Sequence, residues 1–386
     1  MSIKGIKERL KGVRSLYRHL DRYYDGNHLT LLTRGKDVYE EMWRAIEEAR
    51  ESIHLETYRL RADKTGREFA QRLQLQARAG LQVRVIYDAI GSFDIDPVFI
   101  NRLRNAGVQV LEYHPLQPWR PRWGINRRDH RKILAIDGKI AFTGGVNISD
   151  DHAPLEEGGS DWHDVHVKVE GPAAAEIDRL FRGVWKKETK RPIPFLPNSA
   201  VQPGYSKVWV AANQEFLHRL RIRLAYLRSI HAARQEIIIA NAYFVPDFRI
   251  TRALAGASDR GVAVRILVQG ASDLPWVQKA GRYHFDYLLR RGVKIYEWPG
   301  PILHAKAAVA DRTWSAVGSY NLDHRSLLSN LELNLHILDE EFSGKLADAL
   351  GEDIARSREI TLDSWRKRPL SDKIVERFWY SFRSFF

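Results

Sequence analysis

The chain has 386 residues, 44% hydrophobic and 28% charged, a composition that fits a folded protein of two or three domains and excludes disordered or fibrous classes. It contains no cysteine, which removes disulfide scaffolds, thiolate metal sites and cysteine nucleophiles from consideration. The 61 Lys+Arg outnumber the 48 Asp+Glu, and the net charge of +13 points to an anionic partner, either nucleic acid or an anionic membrane surface.

In residues 1–28, Ile3, Ile6, Leu10, Val13, Tyr17, Leu20 and Tyr24 recur at spacings of three and four, with Lys4, Lys7, Arg9, Lys11, Arg14, Arg18 and Arg22 between them. This pattern predicts a basic amphipathic helix of the kind that lies in a membrane interface; packing on the core or a dimer contact would use the same pattern. No apolar stretch with a small-residue cleavage site follows, so no secretory signal is expected. The longest apolar runs, such as Glu236–Pro246, are too short to cross a bilayer.

Residues 29–189 read as a first α/β domain. A strand over Ser52–Leu60 leads to a helix closing at Gly80, a strand over Val83–Tyr87, and a helix–Gly107–strand unit beginning at Leu103. Four prolines mark residues 190–204 as a linker. Residues 205–345 repeat the pattern: strand Glu236–Pro246, helix closing at Gly261, strand Val264–Val268, and a helix–Gly292–strand unit from Leu288. Strands alternating with helices in both halves predict an α/β fold. Residues 346–386 form a helical tail in which Ile374, Phe378, Trp379, Phe382, Phe385 and Phe386 make an aromatic face after Trp365-Arg366-Lys367-Arg368, a pairing that fits anionic lipid.

Each half carries the same chemistry-bearing constellation. The first has His130-Arg131-Lys132 with Asp137 five residues after the lysine, and the second has His304-Ala305-Lys306 with Asp311 at the same distance. Asn147 and Asn321 each follow their histidine by 17 residues, in Gly144-Gly145-Val146-Asn147 and Gly318-Ser319-Tyr320-Asn321. On a strand each histidine and lysine would share a face, whereas the aspartate falls on the other parity beside a turn and is expected to fix that turn. Two copies face to face would gather two imidazoles, two ammonium groups and two amides around a phosphoryl group. One neutral histidine then attacks phosphorus while the other, protonated, donates to the leaving alcohol. The lysines supply the positive charge, so neither a metal nor a cofactor is expected. A histidine metal site is the alternative, and a lysine beside each histidine argues against it.

These residues resemble the phospholipase D superfamily, whose hallmark is the duplicated H-x-K-x4-D motif. The segments HRKILAIDGKIAFTGGVNIS, EIIIANAYFVP and LHAKAAVADRTWSAVGSYNLDHRSL are similar to the bacterial cardiolipin synthases of the short type, which lack N-terminal transmembrane helices. The resemblance implies two homologous phospholipase-D-like domains, each a mixed β-sheet flanked by helices and related by a pseudo-twofold axis. It implies that His130, Lys132, Asp137, His304, Lys306 and Asp311 form the catalytic motif pair, with His130 as nucleophile. Asn147, Ser319 and Asn321 would hold phosphate, and Asp164 and Glu332 would orient the histidines. Glu56 and Asn241, near the ends of equivalent strands, are weaker pocket candidates.

The implied activity is metal-independent phosphatidyl transfer from phosphatidylglycerol, giving cardiolipin through a phosphatidyl-histidine. The expected setting is the cytoplasmic face of the bacterial cell membrane, with the protein bound peripherally and no nucleic acid involved. The motif alone leaves the acceptor open: water would make the enzyme a phospholipase D, and a nucleic-acid phosphodiester would make it a nuclease. The loop Pro115–Asp129, with Trp119, Trp123, Arg120, Arg122, Arg127, Arg128 and the adjoining Arg131, could stack nucleobases or grip lipid headgroups.

Overall fold

The computed structural model describes residues 22–115, 127–194, 202–213 and 220–385. Most of the N-terminal amphipathic pattern, Trp119, Arg120, Arg122 and Trp123 of the loop, and Phe386 lie outside the described residues.

In the first half, β1 (Tyr24–Leu32) leads through α1 (Gly35–Glu48), β2 (Ser52–Thr57), α2 (Lys64–Arg78), β3 (Gln82–Asp88) and α3 (Pro97–Asn105) to β4 (Gln109–Tyr113), then β5 (Ile133–Ile136), β6 (Ile140–Gly144), β7 (His166–Glu170) and α4 (Pro172–Thr189). The second half repeats this order with β8 (Ser206–Asn213), α5 (Arg221–Ala232), β9 (Glu236–Asn241), α6 (Phe248–Asp259), β10 (Ala263–Gln269), α7 (Pro275–Arg282), α8 (Phe285–Arg290), β11 (Lys294–Trp298), β12 (Lys306–Ala310), β13 (Trp314–Gly318), α9 (His324–Leu328), β14 (Glu332–Leu338) and α10 (Glu340–Arg356). A short β15 (Arg358–Ile360), α11 (Leu362–Arg366) and α12 (Leu370–Ser381) close the chain.

The strands join in one 15-stranded sheet. Its first half runs β1-β7-β6-β5-β2-β3-β4 and its second runs β8-β14-β13-β12-β9-β10-β11, with β15 at the outer edge. β1 and β8 pair antiparallel at the centre, so the halves are related by a pseudo-twofold axis. β2–β3–β4 and β9–β10–β11 are parallel and the flanking pairs antiparallel, which makes each half a mixed sheet. Aspartates start equivalent helices: Asp63 accepts from Gly66 N–H at α2, and Asp247 accepts from Arg249 and Ile250 N–H at α6. Gly80 (φ +95°) and Gly261 (φ +87°) then turn the chain back towards the sheet, a conformation that side chains with a Cβ resist.

A core cluster unites the halves, with Val165, Val167 and Val169 of the first half, or close to its β7, meeting Leu333, Leu335 and Ile337 of β14. Helices α4 and α10 contribute Ala173, Ala174 and Ile177, and Leu346, Ala347 and Leu350, to the same cluster. Separate clusters cover the other side of each half. β1 starts at Tyr24, before the boundary drawn at residue 28, and α10 runs unbroken across the boundary drawn at 345. Packing of the apolar face of α10 into the shared core explains that continuity.

The motif aspartates are turn anchors. Asp137 accepts from the backbone N–H groups of Arg50 (2.9 Å), Glu51 (2.8 Å) and Ser52 (2.8 Å), tying the β5–β6 turn to the start of β2. Asp311 does the same for Arg234 (2.8 Å), Gln235 (2.8 Å) and Glu236 (3.0 Å). Replacing Asp137 with alanine strands three donors on one side of the sheet. We expect a loss of about 2 kcal/mol of stability. The check is a denaturant melt combined with turnover, and the refolded variant should keep its KM.

Candidate active site

The two motifs meet at the seam between the halves. Backbone bonds zip the seam on both sides: His130 N–H donates to Leu331 O (3.0 Å), and His304 N–H donates to His163 O (2.7 Å). The stretch on either side of His130 is fixed by buried ion pairs. The Arg128 guanidinium bonds Asp88 (3.0 Å) and Arg131 bonds Glu56 (2.6 Å). These two arginines therefore brace the histidine strand instead of gripping substrate, although Arg128 still borders the cavity.

The seam crosses the carboxylates between halves. His130 Nδ1, from the first half, lies 3.1 Å from Glu332 Oε1 of the second. His304 Nδ1, from the second, lies 2.7 Å from Asp164 Oδ2 of the first. With Nδ1 engaged, Nε2 is the nitrogen left for chemistry on each ring. Both histidines border a cavity of about 400 Å³, together with Asn147 and Asn321.

The two carboxylates differ in their surroundings. Glu332 also accepts from Ser319 Oγ, Ser326 Oγ (2.8 Å) and Asn330 Nδ2 (3.3 Å). At the position equivalent to Ser319 the first half has Gly145, where an added Cβ would sit 2.1 Å from an Asp164 oxygen. At the position equivalent to Ser326 it has His152, buried, with Nδ1 3.9 Å from Asp164 and its ring edge-on to His304. Apart from His304, Asp164 accepts from Val165 N–H (2.8 Å).

Burial, then the charge of Lys132, holds the His130 imidazole below its ordinary 6.5 against the pull of Glu332. His304 is pushed down further, by burial and by both lysines. Burial favours the neutral acid at Glu332, but His130 and Ser319 outweigh it and keep the carboxyl below its usual range. Burial and the charge of Lys306 depress Lys132 to about 7, and burial depresses Lys306 to about 8. Both lysines are buried, each ammonium group donating to the carbonyl oxygen of its own motif histidine: Lys132 to His130 (2.7 Å) and Lys306 to His304. The histidines stand just ahead of the strands, since β5 begins at Ile133 and β12 at Lys306.

Of the expected site residues, His130, His304, Asn147 and Asn321 line the cavity, while Lys132 and Lys306 lie buried behind it and Ser319, Glu56 and Asn241 do not reach it. Ser319 is buried with its hydroxyl on Glu332, so it serves the carboxylate and not the phosphate. Glu56 is consumed by Arg131, and Asn241 by Leu322 N–H (3.0 Å), both inside the sheet. The strands end earlier than the apolar runs suggest, and two residues on, Tyr58 and Tyr243 line the cavity in their place. Tyr58 presents edge-on to His130 at 5.1 Å, and Tyr243 edge-on to His304 at 6.5 Å while donating to Asp273 (2.6 Å). Repeat equivalence of LETY and ANAY would have singled out the tyrosines as readily as Glu56 and Asn241. Asp323, pushed up to about 7 by burial, lines the cavity where the first half has Ser149, and Trp162 and Trp276 line it from a loop and the start of α7; none of the three residue types repeats between the halves, so duplication does not mark them.

Among the described residues, His152, Asp164 and His304 form a grouping with metal-ligand chemistry, their ligand atoms lying within 4.8 Å of one another. His304 Nδ1 is already engaged with Asp164, and the charges of Lys306 and Lys132 that bear on His304 repel a cation there.

The family model described as "Cardiolipin synthase, PLD-like domain" matches residues 42–185 and 226–354. Cardiolipin synthase B of Salmonella typhi is 37% identical over 341 residues, covering 84% of this chain and 80% of its own length. Cardiolipin synthase A of Yersinia pseudotuberculosis is 35% identical over 367 residues, covering 92% and 75%. The crystal structure of phosphatidylserine synthase from Haemophilus influenzae shares the fold, with TM-score 0.69 at 14% identity over 98% of this chain and 97% of that one. The chain belongs to the cardiolipin synthase family of phospholipase-D-like proteins.

Proposed function

We propose that this enzyme is a phosphatidyltransferase that makes cardiolipin from two molecules of phosphatidylglycerol. The observation that carries the reading is the crossed pair His130–Glu332 and His304–Asp164 on one cavity. The His130 Nε2 lone pair attacks phosphorus, and the bond from phosphorus to the glycerol headgroup breaks. The departing oxygen takes the Nε2 proton of His304, leaving glycerol and a phosphatidyl-histidine. The hydroxyl of a second phosphatidylglycerol then gives its proton to His304 and attacks phosphorus, and the phosphorus–nitrogen pair returns to His130.

The assignment of roles follows the asymmetry of the carboxylates. Glu332 divides its charge among four side chains and supports a neutral His130 nucleophile. Asp164 concentrates its charge on His304 at shorter range and supports an imidazolium acid. Lys132, Lys306, Asn147 and Asn321 hold the phosphoryl oxygens; burial first and the lysine charges second keep His304 neutral in the free enzyme, and an arriving phosphate offsets the lysine share. The reaction takes place with the protein bound peripherally at the cytoplasmic face of the bacterial membrane. Among the described residues no helix is long and apolar enough to cross a membrane.

The lysines set a pH dependence. Each loses its charge as pH rises through its depressed value, about 7 for Lys132 and about 8 for Lys306, so capture of the anionic substrate weakens in that range. We expect kcat/KM to fall above about pH 7, with kcat holding to higher pH because bound phosphate favours the charged lysines. The acid limb lies below 6.5, where His130 protonates. A kcat/KM that rises through pH 7–9 would contradict this. Product analysis tests the function itself: purified enzyme with phosphatidylglycerol vesicles and a chelator should give cardiolipin and glycerol in equal amounts. Phosphatidic acid as the sole lipid product would make water the acceptor.

A further inference from the structure

Helix α12 has two unlike flanks. One is docked: Trp379 and Tyr380 pack against Val245, Val277 and Ala280, and Tyr380 stacks on Tyr283 at 4.1 Å. Glu376, buried, pairs with Arg368 on the same flank. Trp379 therefore belongs to the packed side, unlike the aromatic face expected from the sequence. The other flank carries Leu370, Ile374 and Phe378, followed by Phe382 at the helix's C-terminal cap, each four residues after the last and 73, 68, 54 and 41% exposed. Phe385, 66% exposed, continues the row and also borders the active-site cavity, beside the partly exposed Trp276. The row from Leu370 to Phe382 extends about 18 Å at 1.5 Å per residue.

We propose that this ridge inserts into the anionic bilayer and sets the cavity mouth at headgroup depth, so that a phospholipid presents its phosphodiester to the histidines while its acyl chains stay in the membrane beside Phe385 and Trp276. The inference rests on the functional reading above and adds the surface by which the substrate arrives. Exposed Lys373 and Arg377 flank the row on α12, with Arg366 and Lys367 nearby, so apolar insertion and charge attraction act on the same face. A second copy of a chain with net charge +13 would bring these cations against their own kind, and the basic N-terminal segment would do so as well. The docked flank fixes the ridge relative to the cavity, so its depth in the bilayer determines the depth of the site.

The absence of cysteine allows one label at Phe378→Cys in the full chain. With an environment-sensitive dye there, mixing with vesicles of phosphatidylglycerol and phosphatidylcholine should shift emission to the blue, and lipids spin-labelled high on the acyl chain should quench it. Phosphatidylcholine alone should give a much smaller change. The double variant Ile374→Ser, Phe378→Ser should bind the mixed vesicles roughly 50-fold more weakly, since two large apolar side chains no longer leave water. Its turnover of dihexanoyl phosphatidylglycerol, kept below micelle formation, should match the parent. That turnover reports the chemistry, and its absence in the parent would overturn the functional reading instead. Unchanged dye emission on mixed vesicles overturns the ridge proposal. So does a shift that follows protein concentration without lipid, which marks a second copy, or one present without lipid and lost on deleting residues 1–21, which marks the N-terminal segment.

Discussion

His130→Ala and His304→Ala should each lower turnover of phosphatidylglycerol on the order of 10⁵-fold, yet differ completely on an activated substrate. Phosphatidyl p-nitrophenol has a leaving group that departs without a proton. His304→Ala should release a burst of nitrophenol equal to the enzyme present and then stall, because the second lipid hydroxyl finds no base. His130→Ala should show no burst, because it lacks the nitrogen that attacks phosphorus. Reversed behaviour would exchange the roles of the two histidines, and equal bursts would remove the nucleophile assignment from both. Neither substitution removes a group the fold depends on: both side chains border the cavity, and the zippering bonds at the seam use backbone atoms.

The second large effect concerns the crossed carboxylates. Glu332→Gln and Asp164→Asn preserve shape but weaken or reverse the polarity of the bond to Nδ1, which sets the tautomer of each ring; losses of about 10³-fold are expected. With the activated substrate they separate. Glu332→Gln slows the burst, because it disturbs His130. Asp164→Asn leaves the burst and slows the steady state, because it disturbs His304. If the pairing were within halves, the two outcomes would be exchanged, so the kinetics report the crossing seen at the seam.

The fold and the motif pair were readable because duplication marks them twice. The glycine at each helix end, the aspartate at each turn and the H-x-K at each strand start recur in both halves. Which carboxylate serves which histidine was not readable. It depends on the long-range bridges Asp129–Leu331 and His163–Leu303, which bring residues of opposite halves together. Glu56 and Asn241 stand towards the ends of equivalent strands, where the sequence alone predicts a ligand crevice. The strands stop, the chain bends, and the next residues of the same parity, Tyr58 and Tyr243, face the histidines. The asymmetry between Ser319 and Gly145 was visible as a difference, but its cause was not: the Asp164 carboxylate fills the space a side chain would need. On α12 helical spacing identified an aromatic face, and only tertiary packing divided it, taking Trp379 inward and leaving Phe378 out.

The most direct test of the account is to find the covalent intermediate. His304→Ala, mixed with phosphatidyl p-nitrophenol, denatured in mild alkali where a phosphorus–nitrogen bond survives, and digested for mass spectrometry, should carry one phosphatidyl group on the peptide containing His130. A burst with no adduct, or with the adduct on any other residue, would contradict the two-histidine mechanism.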